Sequence, residues 1–320
     1  MSESLQARIE RVLLGGRRKY TRHEVAEKAG VPLERATELW RSLGFASVGD
    51  DEVVFTDNDV EALRMVQELA DLGLYDLSVQ NSIARVLGQH VSRIAEMEIH
   101  VLRELVAAQP SLLEDERGFT RFIDRLIPDL ERLHNFTWRR QLAAYAGRAL
   151  AAPEEPLEEG SQAVGFADMV GYTSLTRRSS ETELASVLER FETTVTQAIA
   201  EHHGRVVKML GDEVLFVADT PQAGADIALT LVTLAEDDPE LPSLRAGLAY
   251  GRVLSRFGDI YGSTVNIASR LTSICHPGAV LIDSEMAAAL EGDRAYVVRQ
   301  KRPVSVRGFH RLKPSVLRRA

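Results

Sequence analysis

Val164-Gly165-Phe166-Ala167-Asp168-Met169-Val170-Gly171-Tyr172-Thr173 is the stretch on which the reading of this chain turns. Its opening residues are apolar or small and read as a short strand, Val164–Asp168, that ends on a carboxylate. The residues from Met169 to Thr173 turn straight towards a helix, and their backbone N–H groups are candidates for an anion nest around a polyphosphate. Ser180–His203 then carries Leu184, Val187, Leu188, Phe191, Val195 and Ile199 on one helical face. Val206–Leu210 and Val214–Val217 are apolar runs on either side of Gly211-Asp212-Glu213, a hairpin signal. A helix at 221–236, a strand at 244–254 and a helix at 262–275 follow. The order β-α-β-β-α-β is that of a ferredoxin-like sheet, expected with its helices on one face.

Two aspartates fall at strand ends in this scheme. Asp168 closes the first strand and Asp212 sits at the hairpin tip. Neighbouring strands would bring both carboxylates to one sheet edge, and oxygen ligands of this kind suit Mg²⁺ or Mn²⁺ rather than zinc. Taken singly, an aspartate in a hairpin is ordinarily only a turn former. A third segment weighs against that plain reading. Gly251-Arg252-Val253 ends a strand, and Gly258-Asp259-Ile260-Tyr261-Gly262 leads into a helix where Asn266 and Arg270, four apart, share a face. A solvated arginine is common on helices; one beside an asparagine at a Gly-rich entry is not.

Three blocks now stand in order: Gly165-Phe166-Ala167-Asp168-Met169-Val170-Gly171-Tyr172-Thr173, Lys208-x-x-Gly211-Asp212-Glu213, and Asp259-x-x-Gly262-x-x-Val265-Asn266-x-Ala268-x-Arg270. Together they resemble the signature blocks of class III nucleotide cyclases over roughly 160–310. A lone Gly-Asp-Glu would be weak, because diguanylate cyclases carry a similar hairpin. The resemblance implies that Asp168 and Asp212, with the backbone carbonyl of Met169, hold two Mg²⁺ or Mn²⁺ ions per site. One ion would activate the ribose 3′-hydroxyl and the other would hold the triphosphate. It implies that Arg270 stabilises charge on the α-phosphoryl group, that Asn266 orients the ribose, and that Arg252, Tyr172 and Thr173 contact the substrate. Lys208 and Asp259 would read adenine: the ammonium donates to N1 and the carboxylate accepts from the 6-amino group. Guanine reverses that pattern, so ATP is favoured over GTP, with guanylate cyclase the alternative. The family builds each site across a dimer, which implies a homodimer with two shared sites. One departure stands out. Phe309 falls where many family members carry a lysine on the triphosphate, and Arg307 and Arg311 are the candidate substitutes.

The first half reads as helical nearly throughout. Thr21 and Glu24 have capping-box spacing, Gly30 ends that helix, and Pro32 opens another that Gly44 stops. Thr56-Asp57-Asn58-Asp59 caps a helix to about Leu72, and later helices are expected at 78–108, 116–126 and 128–150. Ala151–Gly160 holds two prolines, four glutamates and a glycine, and reads as a linker. The organisation is therefore an all-helical domain over 1–150, a linker at 151–160 and an α+β domain over 161–320. The layout resembles actinobacterial pH-responsive two-domain cyclases, with a regulatory first half. Groups that titrate near pH 6 would be the physical basis; His100 and His134 lie in long helices near the linker and His202-His203 end the first catalytic helix, although each histidine taken singly is ordinarily a surface or packing residue. Residues 18–72 also resemble a MerR-type winged helix-turn-helix, and 17–41 carry seven basic against four acidic side chains. A nucleotide-responsive DNA-binding regulator acting through 17–45 is thus the rival reading. The mixed face of Glu34, Arg35, Glu38 and Arg41 weighs against it.

Composition sets the outer bounds. With 320 residues, 38 Lys+Arg against 47 Asp+Glu and 45% apolar residues, the chain is an ordinary folded protein of about two domains. The net charge of −9 argues against non-specific polyanion binding. One cysteine, Cys275, excludes an internal disulfide and a four-cysteine zinc site. No run approaches the roughly 20 apolar residues of a membrane span, and the first residues lack a signal-peptide pattern, so a cytoplasmic protein is expected.

Overall fold

The computed structural model describes residues 5–73, 76–111, 115–151, 159–306 and 309–320. The chain divides into two compact units, Met1–Arg148 and Ala149–Ala320. Most of the linker reading, 152–158, falls outside the described residues. Among the described residues, no helix is long and apolar enough to cross a membrane.

The first unit holds helices α1 (Leu5–Leu13), α2 (Arg22–Ala29), α3 (Leu33–Ser42), α4 (Asp57–Asp71), α5 (Leu77–Ala108) and α6 (Glu116–Ala151), whose last residues pass into the second unit. Local chemistry sets the ends of the short ones. Thr21 and Glu24 form the expected capping box on α2, and Gly30 closes it at φ 71°. Thr56 and Asp59 form a second box on α4. Val25, Ala26, Val31, Ala36, Leu39, Val60, Leu63 and Ala84 make a small core, edged by Trp40 stacked on Phe55. The helices expected at 116–126 and 128–150 are one. Glu116–Ala151 runs straight through Pro128. A proline deletes one backbone donor and crowds the preceding turn, but a long helix on both sides tolerates that local cost.

The second unit is built on an eight-stranded sheet in the order β2-β3-β1-β4-β6-β10-β7, with β5 paired to β4. The strands that matter are β1 (Glu159–Met169), β2 (Arg205–Met209), β3 (Glu213–Ala218), β4 (Leu244–Arg256), β5 (Asp259–Tyr261) and β6 (Val280–Ile282). Beyond them lie β7 (Tyr296–Gln300), β10 (Ser315–Arg319) and a separate pair, β8 (Val304–Val306) and β9 (Phe309–Leu312). The helices are α7 (Tyr172–Thr176), α8 (Glu181–Glu201), α9 (Pro221–Asp237), α10 (Ser263–Ile274) and α11 (Ser284–Ala289). The β2-β3-β1-β4 core, antiparallel throughout, is the ferredoxin-like arrangement expected.

Two expectations change. The first strand spans 11 residues, because Glu159–Met169 pairs with β4 along its whole length. The helices also cover both faces of the sheet rather than one. Ala163 and Ala167 of β1 pack with Phe191, Val195 and Ile199 of α8, Ile227 and Leu231 of α9, and Met286 of α11. Val164 and Phe166, of opposite parity, pack with Leu215, Val217, Ala249 and Val253, and with Ala268 of α10. A strand buried on both sides shows no polar alternation, which is why the run from Ala163 to Ala167 carries no polar residue.

Candidate active site

Asp168 is the second-last residue of β1 and stands opposite Glu213, the first residue of β3. Gly211 takes φ 75° in the tight β2–β3 connection, placing Asp212 beside them. The Met169 amide donates to the Asp212 carbonyl at 2.9 Å, tying the two carboxylate-bearing segments together. Burial pushes the Asp212 carboxyl up, and the nearby Asp168 charge adds to that. Burial, then the charges of Asp168 and Asp212, push Glu213 up to about 7. Three acids therefore crowd one corner of the sheet.

Arg245 answers part of that charge. It is the register partner of Asp168 across β1 and β4. Its Nε donates to Asp168 Oδ2 at 2.7 Å and its Nη1 to the Ser273 carbonyl at 3.4 Å. Arg245 is absent from the sequence reading. A charged residue near the start of an apolar strand looks like a solvated end until the strand register sets it against Asp168.

Lys208 and Asp259 meet within one chain. Lys208 Nζ donates to Asp259 Oδ2 at 2.6 Å, although 51 residues separate them. A bulge between Val206 and Lys208 re-aims β2, and the β4–β5 hairpin brings Asp259 to it. Asp259 Oδ1 also accepts from the Ile260 amide at 2.9 Å, which holds the carboxylate's orientation.

Asn266 and Arg270 ride on α10, one turn apart as expected. Ala268 and Thr272, on the opposite side of that helix, are buried against the sheet. Asn266 is exposed and Arg270 half-buried. Arg252 is exposed on β4, seven residues from Arg245 and of the other parity, so the chain does not bring it to the Asp168 corner. Its carbonyl accepts from Thr264 Oγ1 at 2.8 Å.

The expected anion nest is smaller than its sequence. The Met169 amide is committed to Asp212 and the Val170 amide to the Ser243 carbonyl at 2.9 Å. Any anion contact falls to the amides from Gly171 onward, where Gly171 caps α7 at φ 82°. The Tyr172 ring packs partly against the main core, and Thr173 is exposed. Arg307 and the side chain of Phe309 lie outside the described residues, and Arg311 is exposed.

The donor set at the Asp168 corner is oxygen only, as a hard divalent cation requires. Among the described residues no three His, Cys, Asp or Glu side chains form a metal cage. A carboxylate set of this kind suits a hard cation such as Mg²⁺, which one or two carboxylates can hold with substrate phosphates completing its shell. Burial chiefly raises Asp212 and Glu213, and the neighbouring acidic charge that adds to it is charge such a cation would neutralise.

Several cations near the start of the chain have acidic partners. Lys19 and Tyr20 both bond to Asp57, Arg18 pairs with Glu10, and Arg22 lies 3.3 Å from Asp50.

Comparison with known proteins agrees with this architecture. Residues 157–318 match the adenylate and guanylate cyclase catalytic domain, and residues 3–134 match the adenylate cyclase regulatory domain. The chain belongs to this cyclase family, with a regulatory domain ahead of the catalytic one. It is 43% identical over 295 residues to an adenylate cyclase of Streptomyces coelicolor, covering 90% of this chain and 76% of that protein. It is 40% identical over 325 residues to an adenylate cyclase of Glutamicibacter nicotianae, covering 96% and 81%. It is 34% identical over 277 residues to a pH-sensitive adenylate cyclase of Mycobacterium tuberculosis, covering 83% and 69%.

Proposed function

We propose that this chain is an adenylate cyclase that converts ATP to 3′,5′-cyclic AMP and pyrophosphate at two sites shared in a homodimer. The observation that carries the reading is the Lys208–Asp259 pair. An ammonium and a carboxylate at 2.6 Å present one donor and one acceptor side by side, the complement of adenine N1 and its 6-amino group. Guanine offers an N–H to the ammonium and a carbonyl to the carboxylate, and both protein groups would lose their partners.

Asp168 and Asp212, with the Met169 carbonyl, fit a pair of Mg²⁺ or Mn²⁺ ions. When bound, the metal neutralises the triphosphate and lowers the pKa of the ribose 3′-hydroxyl. The remaining work belongs to side chains. Lys208 and Asp259 hold the purine, and Asn266 orients the ribose. The 3′-hydroxyl gives up its proton to solvent, its oxygen attacks the α-phosphorus, the bond from that phosphorus to the α–β bridging oxygen breaks, and pyrophosphate leaves. Arg270 donates to the α-phosphoryl oxygens as their charge develops, where a preorganised cation is most effective. Arg252 and the backbone at Tyr172 and Thr173 contact the phosphates.

Asn266 and Arg270 lie on the side of α10 that faces away from their own sheet. That placement supports delivery to the acidic corner of a second chain, and two-fold symmetry then makes two equivalent sites. The first unit acts as the regulator, with protons as its effector. The support is His134, whose Nε2 lies 2.9 Å from Glu98 Oε1 and so links α6 to α5, together with the relative described as pH-sensitive. Dependence on ATP assigns the protein to the cytoplasm.

The test is incubation with ATP or GTP and Mn²⁺, followed by analysis for cyclic nucleotide and pyrophosphate. Cyclic AMP from ATP is expected, and a preference for GTP would overturn the purine assignment. Mixing an Asp168→Ala/Asp212→Ala chain with a Lys208→Ala/Asp259→Ala chain should restore one active site per heterodimer. A mixture as inactive as either parent would end the shared-site reading.

A further inference from the structure

α10 lies closer to the sheet than side chains ordinarily permit, and two glycines of β4 make the approach possible. A Cβ at Gly247 would run into the Thr272 amide nitrogen and stand 2.6 Å from both the Ala268 carbonyl and Thr272 Oγ1. A Cβ at Gly251 would stand 3.0 Å from Thr264 Oγ1. The spacings match. Thr264 to Thr272 is about 12 Å along a helix, and Gly247 to Gly251 is about 13 Å along a strand. The helix therefore runs antiparallel to β4 with one glycine under each end.

Hydroxyls fasten it there. Thr272 Oγ1 shares its single hydrogen between the Ala268 carbonyl of its own helix at 3.0 Å and, across to the sheet, the Phe166 carbonyl at 3.4 Å, and Phe166 is the register partner of Gly247. Thr264 Oγ1 donates to the Arg252 carbonyl at 2.8 Å. The atoms that a Cβ at Gly247 would meet are mostly backbone, so they cannot turn aside as a flexible side chain could. The whole helix would have to move, and Asn266 and Arg270 would move with it. The helix carries neither member of the purine pair nor either aspartate of the acidic corner.

We propose that Gly247 and Thr272 are positioning residues for the cyclisation. They set the depth of α10 on the sheet, and so how far Asn266 and Arg270 project into the site. This rests on the roles given above to those two side chains. A displacement of about 1 Å away from reacting atoms is enough to cost up to ~100-fold in rate. Purine binding, which uses other elements, should be nearly untouched, whereas the cation corner is tied to α10 through Arg245 and the Ser273 carbonyl.

The experiment uses the full chain carrying Gly247→Ala, Thr272→Val or Thr272→Ser. Gly247→Ala should lower kcat at least ~10-fold while KM for ATP stays within about twofold. Thr272→Val should lower kcat in the same selective way, and Thr272→Ser, which keeps the hydroxyl, should recover it. Amide hydrogen exchange over Ala268–Ile274 should quicken in Gly247→Ala. A folded Gly247→Ala with wild-type kcat, or kcat and KM shifting together, overturns the inference. So does equal kcat for the valine and serine variants, which decides the matter if the alanine variant does not fold. Wild-type protein that makes no cyclic nucleotide would instead defeat the proposed function, while the exchange data would still report how α10 is seated.

Discussion

In the Ala149–Ala320 unit, β1 has helices on both of its faces, and Phe191, Phe216, Leu231 and Leu248 are almost wholly buried. The Met1–Arg148 unit has a small core around Val25, Ala36 and Leu63, while Leu87, Val91, Met97, Leu133, Phe136 and Trp138 on its long helices stay exposed. The same kind of residue therefore does different work in the two units. Dense burial on both sides of a sheet gives a rigid frame, in which a charge pair or a helix depth can be held to a fraction of an ångström. Long helices that bury only a short stretch have low local stability and can exchange arrangements at small cost. A catalyst needs the first property and a regulator the second.

The contrast breaks most visibly at Gly88. A Cβ there would run into the Leu43 backbone carbonyl, where α5 crosses the end of α3. Gly88→Ala should cost roughly 1–3 kcal/mol and lower the melting of the first unit by about 2–12 °C. Calorimetry should leave the catalytic transition where it was; if both shift together, the units do not melt independently.

A smaller effect sharpens the comparison. His134→Gln and Glu98→Gln each remove the link between α6 and α5. An exposed pair of this kind is worth up to about 1 kcal/mol, so activity between pH 5.5 and 8 should change by no more than about fivefold. The expected result is a flattened pH profile with an unchanged maximum. A profile identical to wild type would remove this pair from the regulatory reading.

A pH-dependent effect lies inside the rigid unit. Asp283 caps α11, accepting from the Met286 amide at 2.9 Å and the Tyr250 amide at 3.3 Å. Burial pushes its carboxyl from 3.8 up to about 6. The folded state thus keeps a proton that the unfolded state gives up. The stability this supplies is complete below the unfolded value and is lost as pH rises through about 6. Asp283→Asn cannot titrate, so the melting temperature of the catalytic unit should vary less between pH 4 and 6. An unaltered slope would mean that the proton is held elsewhere.

Much of this was legible from residues alone. The Thr21–Glu24 cap, the Gly30 stop and the Gly211-Asp212-Glu213 turn depend on neighbours within four positions, and the structure has them as read. Pro128 misleads because its cost is local while the helix around it is long. The one-faced sheet misleads because an apolar strand does not say which side its partners take.

Order of elements, turn chemistry and the kinds of side chain at the reactive positions were written into the chain, since periodicity and capping act over a few residues. Arg245 against Asp168 and Gly247 beneath Thr272 came from folding alone, and Lys208 against Asp259, expected only through the family resemblance, is made by it. Each of those meetings depends on strand register and on how closely a helix lies on a sheet. Long-range packing chooses both, and no local window of sequence contains them.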